Sequence, residues 1–246
     1  MLTRKQTLIG GALALVAAVV AAFAVLWFIV LPHDAPSETS LAGAVASLES
    51  PRDVSPAAAA GAQNGDLTGT WTLAANGESF VGYRVREELA RIGTTTAVGR
   101  THTLTGTLRF DGSAITEVRV EADLRNLQSD DSRRDGALRR QALETDRYPT
   151  ASFVLTEPIR LDAVPAENQP LAATAVGDLT IHGATRNVSI DLEGQLANGF
   201  VVVAGSLDIR FADYGIAQPR SLAVLSVEDR GTLELQLIFE KAASRG

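Results

Sequence analysis

The chain of 246 residues contains no cysteine, one methionine and three histidines. The absence of cysteine excludes disulfide bonds, thiolate metal sites, covalent haem attachment and a lipidated N-terminal cysteine. The stability of the fold must therefore come from a packed apolar core. His102 and His182 lie far apart on predicted strand faces, and the sequence has no His-x-x-x-His pair. Since a metal site needs three or four converging ligands, the sequence predicts none.

Basic charge and catalytic motifs are also scarce. The formal net charge is −7, which argues against a nucleic-acid partner because phosphate binding requires a net basic face. The sequence contains no Gly-x-Ser-x-Gly elbow and no glycine-rich phosphate loop. His182 could pair with Asp178 or Asp191, but a histidine on a solvated strand face is the simpler interpretation. We therefore predict no catalytic residues; an exported enzyme of another kind stays an alternative.

One long stretch of the chain is apolar. Residues 8–31 carry no charge, and as a helix they would span roughly 36 Å, enough to cross a bilayer. Arg4 and Lys5 precede this stretch, so the positive-inside rule places the N-terminus in the cytoplasm and the following residues outside. We expect residues 1–31 to form a single transmembrane anchor in the cell membrane. The alternative is a signal peptide that is cleaved, followed by secretion.

Small residues recur at every fourth position of this stretch, at Gly10, Ala14, Ala18 and Ala22. Such a stripe lets two helices approach closely in lipid. It predicts weak homodimerisation through the anchor, although alanine is common enough here for the stripe to arise by chance.

The next segment, residues 32–66, is rich in alanine, serine, proline and acidic residues and shows no apolar period. A segment of this composition buries too little apolar surface to offset the entropy of ordering it. We therefore expect a disordered spacer that joins the anchor to a folded domain of residues 67–246.

Apolar and polar residues alternate from residue 67 onward, as expected for half-buried β-strands. Residues 177–194 show this best, as two strands joined by a turn at Gly183-Ala184. Asn198-Gly199 is a second hairpin turn. Short helices are expected within residues 128–148, and one helical turn at 87–92. About eight strands with short connections predict an all-β, closed antiparallel barrel; a two-sheet sandwich is the alternative.

Seven segments of the domain follow one another in an order that resembles a known family. They are residues 70–73, 81–85, 106–111, 132–136, 146–153, 177–183 and 211–215. Together with the final amphipathic strand, they resemble the YceI-like family of exported polyisoprenoid-binding proteins. The resemblance implies a lipocalin-like barrel with a long apolar channel and an isoprenoid-type ligand, either a polyisoprenoid or an isoprenoid quinone. It brings no catalytic residues and no further cofactor.

Strand parity and this resemblance together select the residues expected to line the channel. They are Val81, Tyr83, Val85, Leu138, Phe153, Leu179, Ile181 and Phe211. A small barrel can enclose one slender ligand, and an apolar inner wall suits a lipid tail. The alternative is a barrel filled by its own side chains, serving as an exported protein-interaction or stress-related module without a ligand.

Overall fold

The structure, a computed structural model, describes residues 35–49, 66–75, 78–90, 93–161, 163–218 and 224–242, and β-strands predominate among them. The strands are β1 (Gly69–Leu73), β2 (Phe80–Leu89), β3 (Gly93–Thr101), β4 (Leu104–Phe110), β5 (Ala114–Asp123), β6 (Gln128–Ser129), β7 (Thr150–Leu155), β8 (Ile159–Arg160), β9 (Leu171–Ile181), β10 (Ala184–Ala197), β11 (Phe200–Arg210), β12 (Val224–Val227) and β13 (Arg230–Lys241). The helices are α1 (Leu41–Glu49) and α2 (Ser132–Ala137), with a π-helical turn at Leu138–Ala142 and 3-10 turns at Leu124–Asn126 and Phe211–Tyr214.

These strands close into one antiparallel barrel. The hydrogen-bonded order runs β1-β4-β5-β7-β9-β10-β11-β13, and β13 pairs back onto β1. Trp71 of β1 illustrates the closure, because it pairs with Leu108 of β4 on one side and with Lys241 of β13 on the other. The prediction of about eight strands in a closed antiparallel barrel is confirmed, and the sandwich alternative is wrong.

Interrupted strands explain why the described chain has thirteen strand segments but eight positions in the barrel. β1 and β2 lie one after the other along the same edge of β13, at residues 239–241 and 232–236 respectively. β3 and β4 follow one another in the same way, with His102 and Thr103 between them. Gly99 and Gly106 both lie within strands, in β3 and β4 respectively.

Two-residue turns connect the longest hairpins. Asn198 and Gly199 have φ of +51° and +79°, the left-handed conformation that a tight hairpin turn requires. The β9–β10 turn consists of His182 and Gly183, with φ of +52° and +74°, so it lies one residue earlier than predicted. His182 is therefore a turn residue and does not belong to a strand face.

The helical turn expected at residues 87–92 is wrong. β2 continues to Leu89, and its pairing with β3 extends as far as Leu89 opposite Gly93. The same stretch of β2 also pairs with β12, a strand that we had not predicted. Cross-strand pairing on both sides supplies the backbone hydrogen bonds that a helical turn would otherwise have provided.

Short helices within residues 128–148 are confirmed in modified form. Asp131 caps α2, because its carboxylate accepts a hydrogen bond from the backbone N–H of Arg133 at 2.8 Å. The helix runs through Gly136 and continues directly into the π-helical turn Leu138–Ala142. Leu138 of this segment packs against an interior cluster of the barrel that includes Leu179 and Ile181, and this end of the barrel is called here the α2 end.

The predicted disorder of residues 32–66 is wrong for the part that forms α1. Leu41 and Ala44 of this helix are 5% and 0% exposed. They pack on the outer face of β11 and β13, against residues such as Val202 and Ile238. The backbone N–H of Gly43 donates to Ser40 Oγ at 3.2 Å at the start of the helix. The barrel thus carries a short helix on its outer wall, and the residues from Pro36 onward form one compact unit.

The predicted anchor at residues 1–31, including its stripe of small residues, lies outside the described residues. Among the residues that the structure describes, no helix has the length and apolar character needed to cross a membrane.

Candidate functional site

The inner wall of the barrel is formed by one side of each strand. On β13, Leu233, Leu235, Leu237 and Phe239 belong to the interior clusters, whereas Ile238 packs outward beneath α1. Outward positions on β10, such as Ser189, are exposed. The predicted parity of these strands is confirmed: apolar residues face inward and polar residues face outward wherever no helix covers the wall.

All eight predicted lining residues lie on the inner side or at the α2 end. Val81 belongs to an interior cluster with Trp71, and Val85 is buried on the same face of β2. The remaining six form part of a second interior cluster toward the α2 end: Tyr83, Leu138, Phe153, Leu179, Ile181 and Phe211. The structure therefore brings the predicted set together; its binding of a ligand stays a prediction.

The exposed fraction of the inward-facing side chains of β13 increases from one end of the barrel toward its middle. Phe239 and Leu237 of β13 are 1% and 6% exposed, but Leu235 and Leu233, further along the same face, are only half-buried. Together with Trp71, which is 1% exposed, Phe239 packs one end of the barrel densely. Further half-buried side chains lie on the inner wall, at Val81, Tyr83, Leu104, Val118, Phe153, Val201, Val203 and Leu207. These inward-facing residues are therefore less completely buried than those at the end of the barrel near Trp71.

Two glycines hold aromatic rings against the wall. An added Cβ at Gly99 would lie 2.4 Å from Cε1 of Tyr83, its cross-strand partner, and one at Gly177 would lie 2.4 Å from Cζ of Phe153. Real Cβ atoms do not approach that closely, so both rings occupy the room that a larger residue would take. The two rings therefore lie against the wall at Gly99 and Gly177.

A charged group interrupts the apolar wall near the α2 end. Glu87 of β2 is 7% exposed and accepts a hydrogen bond from Nη2 of Arg134 at 2.6 Å. Nη1 of Arg134 also donates to Asp130. Burial lowers the pKa of Arg134, but the hydrogen bond and charge of Glu87 outweigh it, so this pKa lies above its ordinary value. The guanidinium stays charged and ties α2 to β2.

Asp135 and Ser129 extend this group. Asp135 is 6% exposed, and its Oδ1 accepts from the N–H of Ser129 at 3.0 Å and from Ser129 Oγ at 2.7 Å. Ser129 lies opposite Gly99 across β6 and β3. The ring of Tyr83 therefore passes over Gly99 toward Ser129, and its hydroxyl reaches the charged group.

The hydroxyl of Tyr83 is enclosed and makes no hydrogen bond of ordinary geometry with the described residues. Burial raises the pKa of this phenol to about 12, while the charge of Arg134 and the neighbouring Ser129 hydroxyl act in the opposite direction. Tyr83 therefore stays protonated at neutral pH. Its neutral hydroxyl is closed off at the boundary between the apolar wall and the charged group.

Each of the two histidines in the described part of the chain places a ring nitrogen at a backbone carbonyl oxygen. His182 packs edge-on against Tyr148, with ring centroids 4.5 Å apart, and its Nδ1 lies 3.1 Å from the carbonyl oxygen of Tyr214. This arrangement replaces the proposed pairing with Asp178 or Asp191; Asp178 instead accepts from Asn187. Where residues are described, no three His, Cys, Asp or Glu side chains are grouped to hold a metal ion.

Sequence reasoning missed Glu87, Arg134 and Asp135. Glu87 lies on the same face of β2 as Tyr83 and Val85. If the predicted strand had been continued by two residues, alternation would have placed Glu87 on the inner wall. Arg134 and Asp135 lie on α2, and their inward position follows from the path of the β6–β7 connection, which alternation does not reveal.

A closed eight-stranded antiparallel barrel with an apolar inner wall belongs to the class of small β-barrels that can enclose one ligand. The sequence model of the family described as the YceI-like domain matches residues 71–239. The chain therefore belongs to the YceI-like family.

Solved structures show the same fold. A polyisoprenoid-binding domain from Saccharophagus degradans, implicated in plant cell wall breakdown, is 18% identical, with a TM-score of 0.56 over 71% of this chain and 99% of that one. BcnA of Burkholderia cenocepacia is 14% identical, with a TM-score of 0.50 over 64% of this chain and 95% of that one. No curated protein sequence matches the chain. At these identities the likeness shows the fold alone.

Proposed function

We propose that this chain is a binding protein that holds an isoprenoid-type lipid, a polyisoprenoid or an isoprenoid quinone, inside the barrel. One observation carries the proposal: inward-facing apolar side chains at mid-barrel, such as Leu235 and Val203, keep accessible surface although the barrel is closed. Burying that surface against a lipid tail would contribute about 25 cal/mol for each Å² removed from water. Membership of the YceI-like family supports the class of ligand.

The proposed role is binding and not catalysis. The interior offers an apolar wall, two enclosed phenols without a hydrogen bond of ordinary geometry, at Tyr83 and Tyr214, and an ion pair between Arg134 and Glu87. Because the guanidinium and the carboxylate engage each other, neither is presented to a reacting group as a free acid or base. We propose that the chain keeps a lipid out of water without changing it.

We also propose that residues 1–31 tether the barrel to the cell membrane, with the barrel on the extracytoplasmic side. The uncharged stretch 8–31 and the preceding Arg4 and Lys5 support this proposal. The test is fractionation of cells that express the full chain. The barrel is expected in the membrane fraction and to become accessible to added protease once the outer permeability barrier is opened. Recovery in the soluble cytosolic fraction would rule the tether out.

The ligand proposal is tested by organic extraction of the purified full chain followed by mass spectrometry. A co-purifying prenyl lipid is the expected result. A protein that is empty and also takes up no added prenyl lipid would support the filled-barrel alternative instead.

Two variants test whether the inner face of β2 is needed to retain the lipid. Tyr83→Asp places a charge on the lining and should abolish retention, because burying an unpaired carboxylate beside a lipid tail is unfavourable. Arg86→Asp introduces the same side chain on the exposed outer face of β2 and should retain the lipid. If both folded variants retain lipid equally, the inner face of β2 does not contact the ligand.

A further inference from the structure

The chain is fastened to the outer wall of the barrel from Pro36 onward. Nη2 of Arg84, on the outer face of β2, donates to the carbonyl oxygen of Pro36 at 2.7 Å. Nε of the same guanidinium donates to Oε1 of Glu234 at 2.9 Å, and Glu234 is only 3% exposed. A buried carboxylate that loses its cation is strongly destabilised, so Arg84 is held in place, and it holds the carbonyl group of Pro36 in turn.

The following residues are fastened to the same wall by α1. Leu41 and Ala44 are buried against apolar residues of β11 and β13. Beyond this apolar contact, Nε2 of Gln236 on β13 donates to Ser47 Oγ at 3.4 Å. Residues 36–48 therefore form a strap that is fixed at both ends by polar contacts and in the middle by an apolar one.

This strap shortens the free chain between the apolar stretch and the barrel. The uncharged stretch ends at Leu31 and the strap begins at Pro36, so four residues lie between them. An extended chain covers at most about 3.6 Å for each residue, which limits the distance from Leu31 to Pro36 to about 18 Å. A free spacer of residues 32–66 would have an average reach of about 30–35 Å and could extend far beyond it.

We propose that the strap keeps the barrel beside the bilayer that anchors the chain, with the outer wall of β2 near Arg84 as the side held nearest to the lipid head groups. The inference rests on the proposed tether of residues 1–31 and adds the surface that faces the membrane. A barrel held in this way exchanges lipid with its own membrane, whereas a barrel on a long free spacer would also reach a second membrane.

Energy transfer in liposomes measures the separation. The chain has no cysteine of its own, so Arg86→Cys on the exposed outer face of β2 provides a single site for a donor dye, and labelled lipid head groups carry the acceptor. A Gly-Ser insert of about 20 residues between Asp34 and Ala35 should lower the transfer, because it raises the reach of the free chain to about 25–30 Å. The same insert between Ser55 and Pro56 follows the strap and should leave the transfer unchanged. An equal effect of the two inserts would overturn the inference.

A substitution that releases the strap should act like the first insert. Ala44→Glu places a charge where the wild-type side chain is 0% exposed and should lower the energy transfer. Ala46→Glu, at an exposed position of α1, should not. Unchanged transfer in Ala44→Glu, when the amide hydrogens of residues 41–49 exchange rapidly, would show that the strap does not set the distance. The two inserts decide the proposal even if Ala44→Glu fails to fold.

Confined exchange is measured with a fluorescent prenyl lipid. Passage of this lipid from the liposomes that carry the chain to separate acceptor vesicles should be faster with the first insert than with the second. Equal rates would show that the strap does not confine exchange to one membrane.

Flotation of the liposomes separates this inference from the tether on which it rests. The wild-type chain is expected to float with its vesicles and to show the higher energy transfer. A chain that does not float has no membrane anchor, and both proposals would then fall. A wild-type chain that floats but transfers no more energy than the protein with the first insert would keep the tether and overturn the inference.

Discussion

Two glycine positions on the inner wall make room for aromatic rings. The ring of Tyr83 lies over Gly99, and the ring of Phe153 lies against Gly177. A protein interior is close-packed, so a side chain that loses its place on the wall must enter whatever space remains. The space available to a ligand therefore depends on residues that contribute no side chain to it.

Gly99→Ala tests this dependence. The new methyl group would lie 2.4 Å from Cε1 of Tyr83, so the ring must swing toward the centre or the strands must separate. Overpacking of this kind costs about 1–3 kcal/mol, and lipid uptake should fall as well. Urea unfolding and lipid-binding assays measure the two effects.

Gly194→Ala is the matched control, because the nearest atom to its added Cβ is 3.6 Å away. This variant should unfold within about 0.5 kcal/mol of wild type and bind lipid normally. A Gly99→Ala protein that behaves like the control would show that the ring of Tyr83 moves freely.

The buried phenol of Tyr83 also makes stability depend on pH. Its pKa is raised to about 12, whereas an unfolded chain has a tyrosine pKa near 10. Between these values the unfolded chain loses its proton first, so the free energy of unfolding falls as pH rises through this range, by about 2 to 3 kcal/mol. Below about pH 10 this contribution is fully present.

Urea unfolding at a series of pH values measures this loss, and Tyr83→Phe should show a smaller one. A variant that loses as much stability between about pH 10 and pH 12 as wild type would assign the effect to other groups.

At the scale of elements, the sequence predicts some parts of this barrel well and others not at all. Strict alternation identifies the inner faces of β10, β11 and β13, because a half-buried strand leaves a period of two in the sequence. The sequence does not show which residues of neighbouring strands pair with each other. The pairing of Tyr83 with Gly99, and the reach of Tyr83 to Ser129, depend on a register that emerges from closure of the whole barrel.

The sequence of α1 contains a helical pattern of apolar residues, but the composition of the surrounding segment favours disorder. Leu41, Ala44, Val45 and Leu48 recur at helical spacing and pack on the barrel, yet they lie within a segment whose alanine, serine and proline content indicates disorder. Two of the four are small or β-branched, so the apolar stripe is weak on its own. The helix is stabilised because this stripe packs on the outer face of β11.

Ala44→Glu should detach this helix. Ala44 is 0% exposed, so a glutamate there cannot keep its charge in water while the helix is docked. The amide hydrogens of residues 41–49 should then exchange rapidly, and the free energy of unfolding should fall by about 2 kcal/mol. Ala46→Glu makes the same change at an exposed position of the same helix and should do neither. Protected amides in Ala44→Glu would show that the docking tolerates a buried acid.

At the scale of the whole molecule, closure separates two kinds of apolar surface. The end at Trp71 and Phe239 is packed, and its side chains stabilise the barrel directly. The middle of the wall, at Val203, Leu207 and Leu235, is only half-buried, so part of its apolar area stays accessible. Under the proposed function, a lipid that covers this area would add free energy to a barrel whose packed end already stabilises it.

This division predicts that prenyl lipids raise the melting temperature of the full chain. A ligand at one hundred times its Kd contributes about 2.7 kcal/mol when it binds the folded state alone, which corresponds to a rise of about 5–10 °C for a domain of this size.

Leu207→Asn places an amide on the half-buried inner wall and should reduce the rise in melting temperature, whereas Ser206→Asn changes the exposed outer face of the same strand and should preserve it. Scanning calorimetry with geranylgeraniol measures both. A melting temperature that no prenyl lipid shifts would mean that the surface at mid-barrel is not a binding surface, because binding to the folded state must stabilise it.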